Sequence, residues 1–162
     1  MILGLSLNAY TYLHVFISLV AIAAGFFVIF AMIGGMTLRV MTKLFFVTTA
    51  LTSVTGFLFP FKGITPGIVL GILSLIVLGL AIVAQRRIRE SSSWRGTYVI
   101  ASVLALYFNF FVLVAQSFEK IPALHSLAPT QSETPFKVAQ LITLLIFVSL
   151  ATVAFRKFRV AD

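Results

Sequence analysis

Two histidines are the residues of this chain best suited to chemistry, and they stand in different surroundings. His14 lies inside the apolar stretch "NAYTYLHVFISLV", whereas His125 lies in the polar stretch "QSFEKIPALHSLAPTQSETPFK". An ionisable side chain inside a membrane segment is a functional candidate, because it is costly to place in lipid. The plainer interpretation of His14 is a hydrogen bond between helices. For His125, the plainer interpretation is an ordinary surface histidine, and the alternative is a ligand-binding residue.

The other residues offer little cofactor or catalytic chemistry. With no cysteine, the chain can form neither a thiolate metal site nor a cysteine nucleophile. A b-type haem takes axial histidines, commonly on facing helices, and only His14 lies in an apolar segment. Zinc binding by both histidines with Glu119 and Glu133 would lack any short ligand spacing. We therefore predict no metal site and no catalytic residues, leave the cofactor unknown, and favour a protein that is not an enzyme.

The composition requires a lipid environment. Apolar residues make up 60% of the 162 residues and charged residues 10%, whereas soluble domains average about 45–50% and about 25%. The net charge of +8 would suggest nucleic acid in a soluble protein. Here the basic residues flank apolar segments, which is typical of topology signals and of contact with anionic lipid. The expected partners are membrane lipids and either a second copy or a larger membrane complex, with no nucleic acid.

Five apolar segments reach the roughly 17–25 residues needed to cross a bilayer. They run over about 8–34, 43–59, 66–85, 94–118 and 135–155, and Pro60 ends the second. The third and fifth start at Thr65-Pro66 and Thr134-Pro135, each a capping residue followed by proline at the first helical position. The predicted fold is all-α, a single-domain integral membrane bundle of five transmembrane helices with an outer loop over 119–134. An alternative keeps four spans and makes the short second segment re-entrant.

The basic residues predict the orientation of the bundle. Lys62, Lys120 and Lys137 fall on one face, and the other nine fall on the opposite face: Arg39, Lys43, Arg86, Arg87, Arg89, Arg95, Arg156, Lys157 and Arg159. Because basic residues stay on the cytoplasmic side, the N-terminus is predicted to be periplasmic and the C-terminus cytoplasmic. The first segment lacks a basic leader and a small-residue cleavage site, so we expect it to remain as a spanning helix.

Helical periodicity places the polar side chains on inward-facing lines. His14 lies roughly 9 Å inside the outer end of its segment at 1.5 Å per residue, and Thr55, Gln116 and Gln140 fall near the same end. We therefore predict a polar pocket in the outer third of the bundle, beneath the outer loop. The candidate ligand-binding residues are His14, Thr55, Asn109, Gln116, Gln140, His125 and Glu119.

Two strings, "LTSVTGFLFPF" and "KIPALHSLAPTQSETPF", carry a resemblance that extends over most of the chain. The sequence resembles uncharacterised small multi-pass bacterial inner-membrane proteins. The resemblance implies a multi-helix protein of the bacterial inner membrane, and it brings no activity or cofactor to these residues.

Three functions remain open from the sequence. The first is a binding or accessory protein for a quinone-like or lipid-like ligand, with His14 and Gln116 as polar contacts. The second is a haem-linked membrane redox subunit with His14 as the ligand. The third is a purely structural subunit of a membrane complex. Ion-driven transport is disfavoured, because such carriers typically bury a carboxylate or cation at mid-membrane, and this chain has none there unless His14 takes that part.

Overall fold

The chain forms a bundle of α-helices. A computed structural model describes residues 2–60, 63 and 65–159. The helices are α1 (Leu7–Ile33), α2 (Arg39–Phe57), α3 (Pro66–Arg86), α4 (Ser92–Lys120), α5 (Pro122–His125) and α6 (Thr134–Lys157). All except the short α5 are long and apolar enough to cross a membrane. The predicted all-α fold with five spanning helices is confirmed, and these helices indicate a multi-pass membrane protein.

The two proline-led helices begin in different ways. Thr65 caps α3 as predicted, because its Oγ1 accepts a hydrogen bond from the Ile68 N–H at 3.4 Å and Pro66 occupies the first turn. At α6 the expected cap, Thr134, is itself helical, and Glu133 takes the capping position without a side-chain bond to the helix. The Glu133 carboxylate instead accepts hydrogen bonds from the loop before it.

Four helices extend beyond their predicted ends into charged sequence. Helix α2 starts at Arg39 instead of residue 43, and α4 runs over Ser92–Lys120 instead of 94–118. Helix α3 ends at Arg86 instead of residue 85, and α6 ends at Lys157 instead of residue 155. The charged residues outside the predicted spans that are therefore helical are Arg39, Arg86, Glu119, Lys120, Arg156 and Lys157. Long charged side chains near a helix end can reach the headgroup region while their backbone stays helical, so charge alone marks these ends poorly.

Helix α4 lies at the centre of the bundle. It packs against α1, α3 and α6, while α1 also packs against α2 and α2 against α3. Helix α1 approaches its neighbours closely at Gly25, where a Cβ atom would lie 2.6 Å from Leu106 of α4 and 2.9 Å from Phe45 of α2. Residues 87–91 alone connect α3 to α4, and the two helices pack along each other.

Alternation of the five spans gives the bundle two chemically different ends. The loop end contains the start of α1, the end of α2 and residues 121–133, and the basic end contains the connections 34–38 and 87–91 with the end of α6. The nine basic residues counted above all lie at or near the basic end. Lys62, which the sequence assigns to the loop end, lies outside the described residues, as does Asp162.

Candidate functional site

A cluster of polar and aromatic side chains joins α1 to the end of α2 at the loop end. We call Tyr10, His14, Thr55, Gly56 and Phe59 the His14 cluster. The Tyr10 hydroxyl donates to the Thr55 carbonyl at 2.8 Å, and His14 Nδ1 lies 2.8 Å from Thr55 Oγ1. The Phe59 ring meets Tyr10 and His14 edge-on, with centroids 5.1 and 5.3 Å apart. Tyr10 is fully buried and His14 is half-buried. The imidazole is therefore held by Thr55 and Phe59, while part of its surface stays exposed.

The hydrogen bonds of Thr55 determine which nitrogen of His14 carries the proton. Thr55 Oγ1 lies 2.6 Å from the Leu51 carbonyl oxygen, a separation that requires a proton between the two oxygens. A hydroxyl has one proton, so Thr55 donates to Leu51 and can only accept from His14. Nδ1 therefore carries the proton, and Nε2 of the neutral ring is an acceptor. Nε2 has no hydrogen-bond partner among the described residues.

A second polar contact joins α6 to α4. Gln140 Nε2 donates to the Phe111 carbonyl at 3.2 Å, while Gln140 Oε1 is buried without a partner within residues 2–60, 63 and 65–159. Nearby in the chain, Gln131 Nε2 donates to the Ala115 carbonyl at 2.9 Å and ties the outer loop to α4. Gln140 thus lies against the α4 backbone, and no hydrogen bond of these described residues joins it to the His14 cluster.

Asn109 lies deeper and has a structural contact. Its Nδ2 donates to Thr49 Oγ1 at 3.1 Å, and both side chains are buried. Thr49 precedes Thr55 by six residues, which is roughly 9 Å along α2 at 1.5 Å per residue. The Asn109–Thr49 pair therefore holds α4 to α2 below the His14 cluster.

The remaining predicted site residues lie at the surface. Gln116 is exposed, and its Nε2 donates to Glu119 Oε2 at 3.2 Å. The other oxygen of Glu119 pairs with Lys120 at 3.2 Å. His125 is exposed at the end of α5. Gln116 was expected to point into the bundle, but its side chain is exposed one turn before the end of α4, beside Glu119.

Glu133 organises the outer loop. Its Oε1 accepts from the Thr130 N–H at 3.2 Å and the Thr130 hydroxyl at 2.9 Å, and its Oε2 accepts from the Ser132 N–H at 3.0 Å. The Thr130 and Ser132 hydroxyls also hydrogen-bond to each other. Slight desolvation raises the pKa of Glu133, but these hydrogen bonds outweigh it and hold the pKa below its ordinary value. This carboxylate is engaged in loop structure.

The acidic and histidine side chains are dispersed. Within the part of the chain that the structure describes, no three side chains of His, Cys, Asp or Glu stand close enough to hold a metal ion. The two histidines belong to different regions, His14 to the α1–α2 contact and His125 to the exposed α5.

Comparison of the chain with protein-family models, curated proteins and solved structures finds no match. The site must therefore be interpreted from its own geometry. The sequence prediction included His14 and Thr55, which are in contact, and missed Phe59, whose ring covers both Tyr10 and His14. The signal was present, because Phe59 follows Thr55 by four residues and so shares its helical face.

Proposed function

We propose that this protein binds a lipid-soluble ligand with a polar head at the His14 cluster, as a binding or accessory protein without catalysis of its own. The observation that carries the proposal is the half-buried imidazole of His14, whose Nδ1–H is held by Thr55 and whose Nε2 has no partner among the described residues. An unpaired acceptor at membrane depth gains a hydrogen bond when a ligand supplies a donor. The ligand class is quinone-like or lipid-like.

The protonation of His14 selects the ligand's polar group. Because Nε2 accepts, the matching group is a hydroxyl, as in a quinol or a hydroxyl-bearing lipid headgroup, and a bare quinone carbonyl would find no donor there. The Phe59 ring packs edge-on against the imidazole and makes the surroundings of Nε2 partly apolar. These two features favour the reduced form of a quinone over the oxidised form.

We further propose that the protein resides in a bacterial inner membrane with its N-terminus in the periplasm and its C-terminus in the cytoplasm. The support is the excess of basic residues at the basic end, since such residues stay cytoplasmic. The His14 cluster then faces the periplasmic leaflet, where a mobile lipid or quinol could enter from the bilayer.

Mass spectrometry of lipids and quinones that co-purify with the protein tests the proposal. We expect a quinol or hydroxyl-bearing lipid to be retained by the wild type and by His125→Phe, a control that removes the exposed imidazole, and to be lost from His14→Phe. Thr55→Val should weaken retention by roughly threefold to tenfold, because a net hydrogen bond contributes about 0.5–1.5 kcal/mol. Recovery of bulk phospholipid alone from the wild type would contradict the proposal.

A haem-linked redox subunit is the second candidate, and one observation favours it. An axial imidazole is usually oriented by a hydrogen bond from its other ring nitrogen, which is the relation of His14 to Thr55. The absorption spectrum of purified protein separates the two candidates. A Soret band that disappears in His14→Ala would support haem, and a colourless wild type would eliminate it.

A purely structural role is the third candidate. In that case His14→Phe would lower stability, because the contact between α1 and α2 is lost, while the lipid and quinone content of the purified protein would stay the same. Measuring both quantities on one preparation therefore distinguishes this role from ligand binding.

A further inference from the structure

An apolar groove lies on the outside of the bundle near the basic end. It has a volume of about 450 Å³ and is bounded by Ile33, the last residue of α1, and by one face of α6 between Ile142 and Val153. Ser149 is the polar residue of that face, and its hydroxyl donates to the Leu145 carbonyl at 2.8 Å. The groove therefore presents apolar side chains without a free polar group, as an acyl chain requires.

The length of the groove matches one leaflet of a bilayer. Ile142 and Val153 are eleven residues apart, which is roughly 16 Å along α6, and half of a hydrocarbon core of about 30 Å is about 15 Å. The lining residues of α6 follow the pattern i, i+3, i+4, i+7, i+8 and i+11 from Ile142 to Val153, which places them on one face of the helix. The same spacing continues from Val153 to Arg156 and Lys157, so both cations lie on the groove face at its headgroup end.

The end of α6 is held firmly in place behind these cations. Phe158 is buried and packs against Tyr98 of α4 with ring centroids 5.9 Å apart. Phe155 covers Gly96, where a Cβ atom would lie 2.6 Å from the Phe155 ring. The groove and its basic rim are therefore presented on a helix end that is anchored to the central helix.

Arg156 and Lys157 are exposed and have no carboxylate partner within the described residues, where the single ion pair joins Lys120 to Glu119 at the loop end. We propose that the groove binds one anionic phospholipid from the leaflet at the basic end. Its acyl chain lies along α6, and its phosphate lies between Arg156 and Lys157. This site is separate from the His14 cluster and does not depend on the function proposed there.

Charge also opposes the main rival occupant, a second copy of this chain. Two copies inserted in the same orientation would bring their basic ends together, and Glu90 is the acidic residue described at that end. Like charges at an interface disfavour association, whereas an anionic headgroup is attracted to each basic side chain.

The test uses full-length protein reconstituted in nanodiscs of equimolar phosphatidylglycerol and phosphatidylethanolamine, then extracted and examined for retained lipid by native mass spectrometry. We expect the wild type to retain phosphatidylglycerol preferentially. Arg156→Gln with Lys157→Gln should reduce that preference roughly tenfold or more. Arg87→Gln with Arg89→Gln, which removes the same charge from the same end, should leave most of it.

Three outcomes would overturn the proposal: no preference in the wild type, an equal loss in both double variants, or a dimer in place of retained lipid. A groove variant provides an independent check that leaves the charge unchanged. Ile146→Trp should fill the groove and reduce the number of retained phosphatidylglycerol molecules, and unchanged retention in a folded variant would likewise contradict the site.

Discussion

The threonines of α2 differ in what their hydroxyls do. Thr48, Thr52 and Thr55 each donate to the carbonyl four residues earlier. Donation within the helix leaves the lone pairs of the hydroxyl oxygen for other helices, and Thr55 uses them for His14. Thr49 in turn accepts from Asn109. A face that looks uniform in sequence therefore contains two contacts that link α2 to other helices.

At the residue scale, the Asn109–Thr49 hydrogen bond gives a direct stability prediction. We expect Asn109→Leu and Thr49→Val each to destabilise the bundle, and the double variant to lose less than the sum of the two single losses. The coupling should be about 0.6–2 kcal/mol, as for other hydrogen bonds between membrane helices. Unfolding in mixed detergent micelles measures it, and fully additive losses would show that the contact contributes nothing.

The contacts of individual residues show which part of the candidate site could be predicted from the sequence. Periodicity and depth place His14 and Thr55 on facing lines near the same end, and the two are in contact. Periodicity and depth do not specify which neighbouring helix a polar face packs against. Gln140, for example, lies against the α4 backbone and not against the His14 cluster. Gln116 hydrogen-bonds to Glu119, one turn further along α4. A shared ligand site for all of these residues stays a prediction.

At the element scale, two glycines form a matched pair for testing helix packing. Gly25→Ala would place a methyl group 2.6 Å from Leu106 and 2.9 Å from Phe45, both fully buried. We expect it to destabilise the protein by about 1–3 kcal/mol through overpacking. Gly79→Ala on α3 meets nothing within 4 Å and should be neutral or stabilising by up to about 1 kcal/mol. Equal effects in unfolding measurements would contradict the close approach of α1 to α4.

The outer loop is the element whose order should depend on pH. Glu133 has a pKa below its ordinary value because the Thr130 and Ser132 donors favour the carboxylate, despite slight desolvation. Its stabilising contribution is therefore present at neutral pH and is lost as the pH falls through the lowered pKa. We expect the amide resonances of Thr130 and Ser132 to titrate in that acidic range, and Glu133→Gln to abolish the titration. Resonances that do not move with pH would contradict the hydrogen bonds of the Glu133 carboxylate to Thr130 and Ser132.

The five spanning helices were easier to predict from the sequence than the residues at which they begin and end. Length and apolarity identify the five spans, because few other structures can satisfy backbone hydrogen bonds in lipid. The start of α2 at Arg39 and the end of α4 at Lys120 were missed, since long charged side chains permit helix at the membrane boundary. The short α5 inside the outer loop has four residues, too few for a periodic pattern to reveal it.

At the scale of the whole molecule, the two ends predict opposite accessibility. The chain has no cysteine, so a single introduced cysteine would be the one site in the chain that a maleimide labels. We expect Ser126→Cys to react with a membrane-impermeant maleimide in intact cells, and Ser92→Cys to react only after the membrane is opened. The reverse pattern would invert the proposed orientation, and labelling of both sites in intact cells would contradict a membrane crossing by α4, the long helix between them.

The short connection between α3 and α4 has a consequence for how the chain is made. Residues 87–91 leave too little slack for one helix to enter the bilayer while the other waits outside. In the orientation proposed above, this turn lies in the cytoplasm, where Arg87 and Arg89 would favour its retention. We therefore expect the two helices to enter the membrane together, as one hairpin. A polar substitution that keeps α3 out of the membrane would then keep the central helix α4 out as well. The resulting defect would be a failure of membrane insertion, and it would precede any loss of stability of the folded protein.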